Sequence, residues 1–331
     1  MKNSFSRREI TFIEHCVSSS ISDAFQNLSQ SEPQLVANLV ATLPRRINTT
    51  LSQSSRIKIS AGGVFVHARP FVQCHSFPQP SPKSVEIGDL LFIVNYAERG
   101  QITERRALLL QAKKTKKIPT TPDNPNQWHI YSDWPQFTYA ARSGSLTGQQ
   151  RYICEPDMYD AAKYMFIGDT GIEPKHHRLS HHIFAPYKTL RCPYKGIHSV
   201  AKPTANRLSQ YNCLICELVS LITGKAGKKF KKPAINSIGW DQVVEDLIKN
   251  TADAASVYCG RALGKPSGQS RGSGILFLCG EFSAYSSIIS AADGSYEGNF
   301  NIPPEVPGEW QDDESEGGGI STIEITVELN E

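Results

Sequence analysis

Three residues stand where strand ends could bring them together. Asp89 heads an apolar run, Leu90-Leu-Phe-Ile-Val94, and Gln111 and Lys113 close a second one, Ala107-Leu-Leu-Leu-Gln-Ala-Lys113. Both runs are short and bounded, as central sheet strands are. Side chains alternate along a strand, so Leu109, Gln111 and Lys113 share one face. If the two strands are neighbours, Asp89 meets Gln111 and Lys113 at one end of a sheet. A carboxylate and an amide oxygen are hard ligands suited to Mg²⁺ or Mn²⁺. A Lys beside such a cation can position or deprotonate a water and offset phosphate charge. Glu86, three residues before Asp89, can add the charge that Gln111 lacks.

The elements that must carry these residues are partly readable. Ser6-Arg-Arg-Glu9 is a capping-box pattern, and Ile10, Ile13, Val17, Ile21, Phe25 and Leu28 follow it at helical spacing. At 100° per residue Glu14 falls about 40° from Ile10, inside the apolar sector. A carboxylate there is costly unless a metal or a Lys meets it. A second helix is expected from Glu32 to Leu51, bent or ended by Pro44. From residue 57 the period becomes that of short strands, around a turn at Gly62-Gly63. A turn near Arg99-Gly100 separates the two apolar runs. Beyond the Pro-rich stretch 118–126 come an aromatic-rich segment (Trp128 to Tyr139), a helical pair over roughly 205–223 and 239–250, and a final alternating strand. In that strand Ile323, Ile325, Val327 and Leu329 face one way and Glu324, Thr326 and Glu328 the other. The strand is expected to dock on a sheet edge.

A helix with Glu, a strand with Asp and a strand with Gln-x-Lys resemble the PD-(D/E)xK nuclease superfamily, in the Gln-x-Lys form of Mrr-like restriction enzymes. The resemblance covers roughly residues 6–118. It implies an α/β fold with a restriction-endonuclease-like core, a mixed central sheet flanked by helices, and a mixed α+β C-terminal region. It assigns Asp89, Gln111 and Glu14 to a divalent metal, Mg²⁺ or Mn²⁺, and Lys113 to the attacking water. Two departures stand out: Gly88 rather than Pro precedes Asp89, and Gln111 replaces the usual acid. The implied function is hydrolysis of phosphodiester bonds, of DNA first and with RNA not excluded, in prokaryotic defence against foreign DNA. A regulatory partner protein and self-association are compatible with it. The alternative is a catalytically inactive nuclease-like module that binds nucleic acid or a partner protein. The expected division is a core over 1–126, a mixed region over 127–308, an acidic Gly-rich linker over 309–319 and a terminal strand over 320–331.

Charge and composition bear on the partner. Lys and Arg total 35 and Asp and Glu 32, but residues 307–331 hold eight of the acids and no Lys or Arg. The rest of the chain is therefore basic, which suits a polyanion. Lys114, Lys116 and Lys117 leave the same strand end as Lys113, and Lys228, Lys229, Lys231 and Lys232 form a second cluster; each can contact phosphates or be a solvated loop. Cys213 and Cys216 read as thiols on one helix face, without the second CxxC of a zinc ribbon. His176-His177 and His181-His182 read as an exposed loop rather than a metal site, and the aromatic segment as core rather than a base-stacking platform. No stretch of about 18 apolar residues occurs, and the first residues hold no apolar leader core. The expected setting is the cytoplasm, away from membranes.

Overall fold

The computed structural model describes residues 5–51, 56–66, 70–116, 124–141, 143–154, 158–169, 197–205, 207–262, 277–280 and 319–329. In chain order, helices α1 (Arg7–Ala24) and α2 (Glu32–Thr50) precede strands β1 (Ile57–Phe65), β2 (Phe71–Gln73), β3 (Val85–Glu86), β4 (Leu90–Glu98) and β5 (Gln101–Lys114). Then come α3 (Pro125–Asp133), β6 (Phe137–Tyr139), β7 (Gln150–Arg151), β8 (Ala162–Asp169), β9 (Ile197–Pro203) and β10 (Leu208–Cys213). The last are α4 (Leu214–Ile222), β11 (Lys228–Lys229), α5 (Trp240–Ala262), β12 (Phe277–Gly280) and β13 (Ser321–Leu329).

The fold is α/β, with a mixed central sheet flanked by helices. Its strand order is β10-β9-β8-β5-β4-β13-β1-β12, with β11 added to β5. β4 and β13 run parallel, as do β5 and β8; the other pairs are antiparallel. On one face, Leu90, Phe92 and Val94 of β4 and Leu108, Leu110 and Ala112 of β5 join a core with α1, α2 and α4. On the other, Leu91, Ile93, Ala107 and Leu109 join a core with α3, α5 and a small sheet, β3-β2-β6-β7. A strand covered on both faces is apolar throughout, which is why these two runs show no alternation. The expected unit 1–126 supplies β1, β4 and β5, and strands from beyond it complete the same sheet.

Local sequence explains much of this. Ser6 caps α1: its hydroxyl accepts from the Glu9 amide (3.3 Å), and the Glu9 carboxylate accepts from the Ser6 amide (2.5 Å). α1 stops at Ala24, so Leu28 falls outside it and is exposed. β4 and β5 are joined by Arg99 (φ 54°) and Gly100 (φ 74°). Two positive φ values match the twist of a tight hairpin, and Gly bears one of them without strain. The turn pairs Glu98 with Gln101, and a bulge in β5 opposite Tyr96 and Ala97 shifts the register by one residue, which sets Leu90 opposite Leu110.

Several expectations need correction. Gly62-Gly63 is no turn: β1 runs straight through, because β13 and β12 pair with it on either side. α2 continues past Pro44 to Thr50. Residues 208–213 of the expected helix are strand β10, and the helix begins at Leu214. Cys213 sits at the α4 N-cap, its sulfur accepting from the Cys216 amide (3.2 Å), so the CxxC spacing serves a helix cap. β13 is not at an edge but lies between β4 and β1. Ile323, Ile325 and Val327 enter the core as expected, yet Glu324 is buried too. It accepts from the Asn95 amide (2.5 Å), and Asn95 accepts in turn from Arg105 (3.2 Å). Trp128, Tyr131, Trp134, Phe137 and Tyr139 are all buried in the core. The paired His residues and segment 309–318 lie outside the described residues.

Candidate metal-dependent site

The β4–β5 register decides the geometry. Leu90 pairs with Leu110, and the Asp89 amide donates to the Leu110 carbonyl (2.9 Å). One residue further, Asp89 lies across from Gln111. Asp89 Oδ2 accepts from Gln111 Nε2 and from the Ala112 amide (2.7 Å). Gln111 is 1% exposed, so its amide oxygen also needs a partner. Gln127, in the first turn of α3, supplies it: Gln127 Nε2 donates to Gln111 Oε1 (2.7 Å) and, more weakly, to the Glu86 carbonyl (3.3 Å).

The approach to Asp89 is held from both sides. Ile87 donates its amide to Pro70 O (3.0 Å), while its carbonyl accepts from the Tyr131 hydroxyl, one turn after Gln127 (2.8 Å). Gly88 explains the departure from Pro: a Cβ there would sit 2.7 Å from Leu109 Cδ1 and 2.9 Å from the Tyr131 oxygen.

Glu32 closes the other side. It opens α2, and its Oε2 accepts from the Lys114 amide (2.6 Å) while its Oε1 lies 3.9 Å from Lys113 Nζ. Lys114 Nζ donates to Gln30 O (2.7 Å). A pocket of about 60 Å³ is lined by Glu32, Glu86 and Asp89, with Val36, Phe65 and Ser321 among its walls. That volume holds a few water molecules. Asp89 keeps part of its surface on this pocket, although protein packs around the carboxyl. Burial pushes its pKa well above the ordinary carboxylate range; Glu86 and Glu32 push the same way, and Lys113 and the Ala112 amide oppose them.

Of the expected residues, Asp89, Gln111 and Lys113 therefore converge. Glu14 does not join them: it is half-buried on α1 and is neither among the pocket residues nor among the charges acting on Asp89. The helix carboxylate at the pocket is Glu32, from α2. Glu32 was visible only as a first-turn acid, and Gln127 carried no sequence signal, since no helix was expected there. Lys116 is exposed close by, and Lys117 lies outside the described residues. Lys228 and Lys229 pair with Ala107 and Arg106, about 13 Å along β5 from Gln111 at 3.3 Å per residue. Lys229 is bound to Glu104 (2.5 Å), whereas Lys231 and Lys232 are exposed.

Among the described residues, no three Asp, Glu, His or Cys side chains form a ready metal centre. The donor chemistry nevertheless fits Mg²⁺, which is held by one or two carboxylates together with water and substrate phosphate. Both hydrogen bonds to Asp89 fall on Oδ2, which leaves Oδ1 for such a role. No helix among the described residues is long and apolar enough to cross a membrane. Comparison with protein-family models, curated proteins and solved structures gave no match.

Proposed function

We propose that the chain is a metal-dependent nuclease with a restriction-endonuclease-like core, cutting phosphodiester bonds of DNA in defence against foreign DNA. The observation that carries this reading is that Asp89, Glu86 and Glu32 line one pocket, with Gln111 bonded to Asp89 and Lys113 beside Glu32. Two neighbouring carboxylates pressed on a buried third make a place where a cation is welcome. Asp89 and Glu86 would hold the metal, with Glu32 beside them. A bound Mg²⁺ or Mn²⁺ would polarise a phosphoryl oxygen and acidify a bound water. Lys113 contributes positive charge next to the attacked phosphate and orients the water. Gln111 and Gln127 keep Asp89 in place.

The test is incubation of supercoiled plasmid with the purified chain, with Mg²⁺, with Mn²⁺ and with chelator. Cleavage should need the metal and disappear in Asp89→Ala and in Lys113→Ala. Metal-independent cutting, or full activity in either variant, removes the reading.

One observation favours a second reading, a nuclease-like module that binds without cutting. Gln111, expected as a metal ligand, instead turns its amide nitrogen to Asp89 and its oxygen to Gln127, so it adds neither charge nor a free donor oxygen to the pocket. In that case DNA binding persists under the same conditions while the plasmid stays intact.

A further inference from the structure

Away from the carboxylate pocket, α3 carries a second arrangement. His129 and Asp133 lie one turn apart, with His129 Nδ1 2.9 Å from Asp133 Oδ2. Ser76, from the loop after β2, places its Oγ 2.9 Å from His129 Nε2. A carboxylate only accepts, so Nδ1 carries the ring hydrogen and Nε2 presents its lone pair to the Ser76 hydroxyl. Cys74 Sγ lies 3.0 Å from Ser76 Oγ and 3.1 Å from the Gln136 carbonyl and accepts from the Ser76 amide (3.4 Å); with the thiol hydrogen turned to Ser76 Oγ, the one hydrogen of the serine is left for His129 Nε2. Ser132 donates to the same Asp133 oxygen (2.8 Å).

Access accompanies this geometry. Ser76 is exposed and the His129 side chain is 22% exposed. A groove of about 560 Å³ runs past Ser76, with Phe77, Pro80 and Pro135 as apolar walls and Gln136 and Lys83 as polar ones. Its size lies within the range of small-molecule sites.

We propose that Ser76, His129 and Asp133 form a nucleophilic triad that hydrolyses short-chain carboxylic esters bound in this groove. Ser76 Oγ bonds to the acyl carbon as His129 Nε2 takes its proton. The ester C–O bond then breaks, and His129 returns that proton to the departing alcohol. Water next adds to the acyl-serine; His129 takes the water's proton and passes it to Ser76 Oγ as the carboxylic acid leaves. Asp133 holds the ring tautomer and offsets the imidazolium charge. The apolar walls suit a short acyl or alkyl chain. The site is independent of the carboxylate pocket, because Gln127 and His129 are about 200° apart around the helix.

A mere tie between the loop and α3 would show the same distances but no reactivity, so reactivity is the test. The full chain is treated with a fluorophosphonate probe and digested, and Ser76 is examined by mass spectrometry. Attack by Ser76 forms an O–P bond and expels fluoride. The expected result is phosphonylation of Ser76, slowed about 100-fold or more by His129→Ala and to a lesser degree by Asp133→Asn. Hydrolysis of p-nitrophenyl acetate should fall in parallel, and in Ser76→Ala. An unmodified Ser76 in the wild-type chain at excess probe overturns the proposal without reliance on any variant. Labelling at the wild-type rate in a folded His129→Ala or Asp133→Asn protein overturns it equally.

Discussion

Asp89 sits where its charge is costly, and the cost fixes how the protein should respond to pH. Burial, Glu86 and Glu32 raise its pKa. Below the ordinary Asp value, near about 3.9, folded and unfolded chains both hold the proton. Above it the unfolded chain releases its proton first, so the folded state binds more, and stability falls as pH rises until the folded pKa is passed. In chelator, Asp89→Asn should therefore melt above wild type at pH 8, with the gap closing towards pH 4. Added Mg²⁺ should raise the wild-type melting temperature by mass action and leave the variant unmoved. A variant that melts below wild type at pH 8 would contradict a costly charge at Asp89. Gln127 offers a second check. Gln127→Leu strips the buried Gln111 oxygen of its donor, which should cost about 1–3 kcal/mol and be seen in urea unfolding. Metal-dependent cleavage should drop with it. Unchanged stability and cleavage would make Gln127 incidental.

At the scale of elements, β13 is the member to test. Its Ile323, Ile325 and Val327 are fully or almost fully buried, and its ladder joins β4 on one side to β1 on the other. Removing an edge strand leaves a sheet intact, but removing this one opens a gap between β4 and β1. Truncation after residue 319 should thus yield a chain without a cooperative melting transition. Ile325→Ala alone should cost about 2–5 kcal/mol. A truncated protein that melts cooperatively near the wild-type temperature would contradict the central placement. Glu324 belongs to the same element. Its contact with Asn95 and the nearby Arg105 satisfies a carboxylate that is otherwise expensive to bury.

Across the whole molecule, the basic groups lie at two distances from the pocket. Lys113 and Lys116 stand at the pocket end of β5, while β11 and the exposed Lys231 and Lys232 follow from its other half. On the proposed function, a duplex at the pocket that lies along β5 would reach the second group. Lys231→Ser with Lys232→Ser should then weaken DNA binding and flatten the log-affinity against log-salt slope, by about 0.9 for each phosphate no longer neutralised. A fluorescence titration at several salt concentrations measures it. An unchanged slope would return these lysines to ordinary solvated surface.

Asp89, Gln111 and Lys113 were legible in the sequence because their meeting depends on short-range rules. Alternation with period two and a tight Arg-Gly hairpin bring Asp89 within one residue of facing Gln111, and a bulge opposite Tyr96 and Ala97, which no sequence pattern announced, supplies the last step of register. The α1 cap was legible for the same reason. Glu32, Gln127 and the role of Gly88 were not, because they act across elements that no local pattern connects. Glu14 illustrates the limit: a helical wheel placed it on an apolar stripe, but which helix end meets the pocket depends on how α1 and α2 pack. β13 shows it most clearly. Its alternation announced a strand with one apolar face and a solvent face of Glu324, Thr326 and Glu328. Tertiary structure placed it between two partners, where the layers on both sides of the sheet cover both faces of its first half, so Glu324 is buried. Periodicity reports which side chains share a face; only the packed sheet decides what lies against that face.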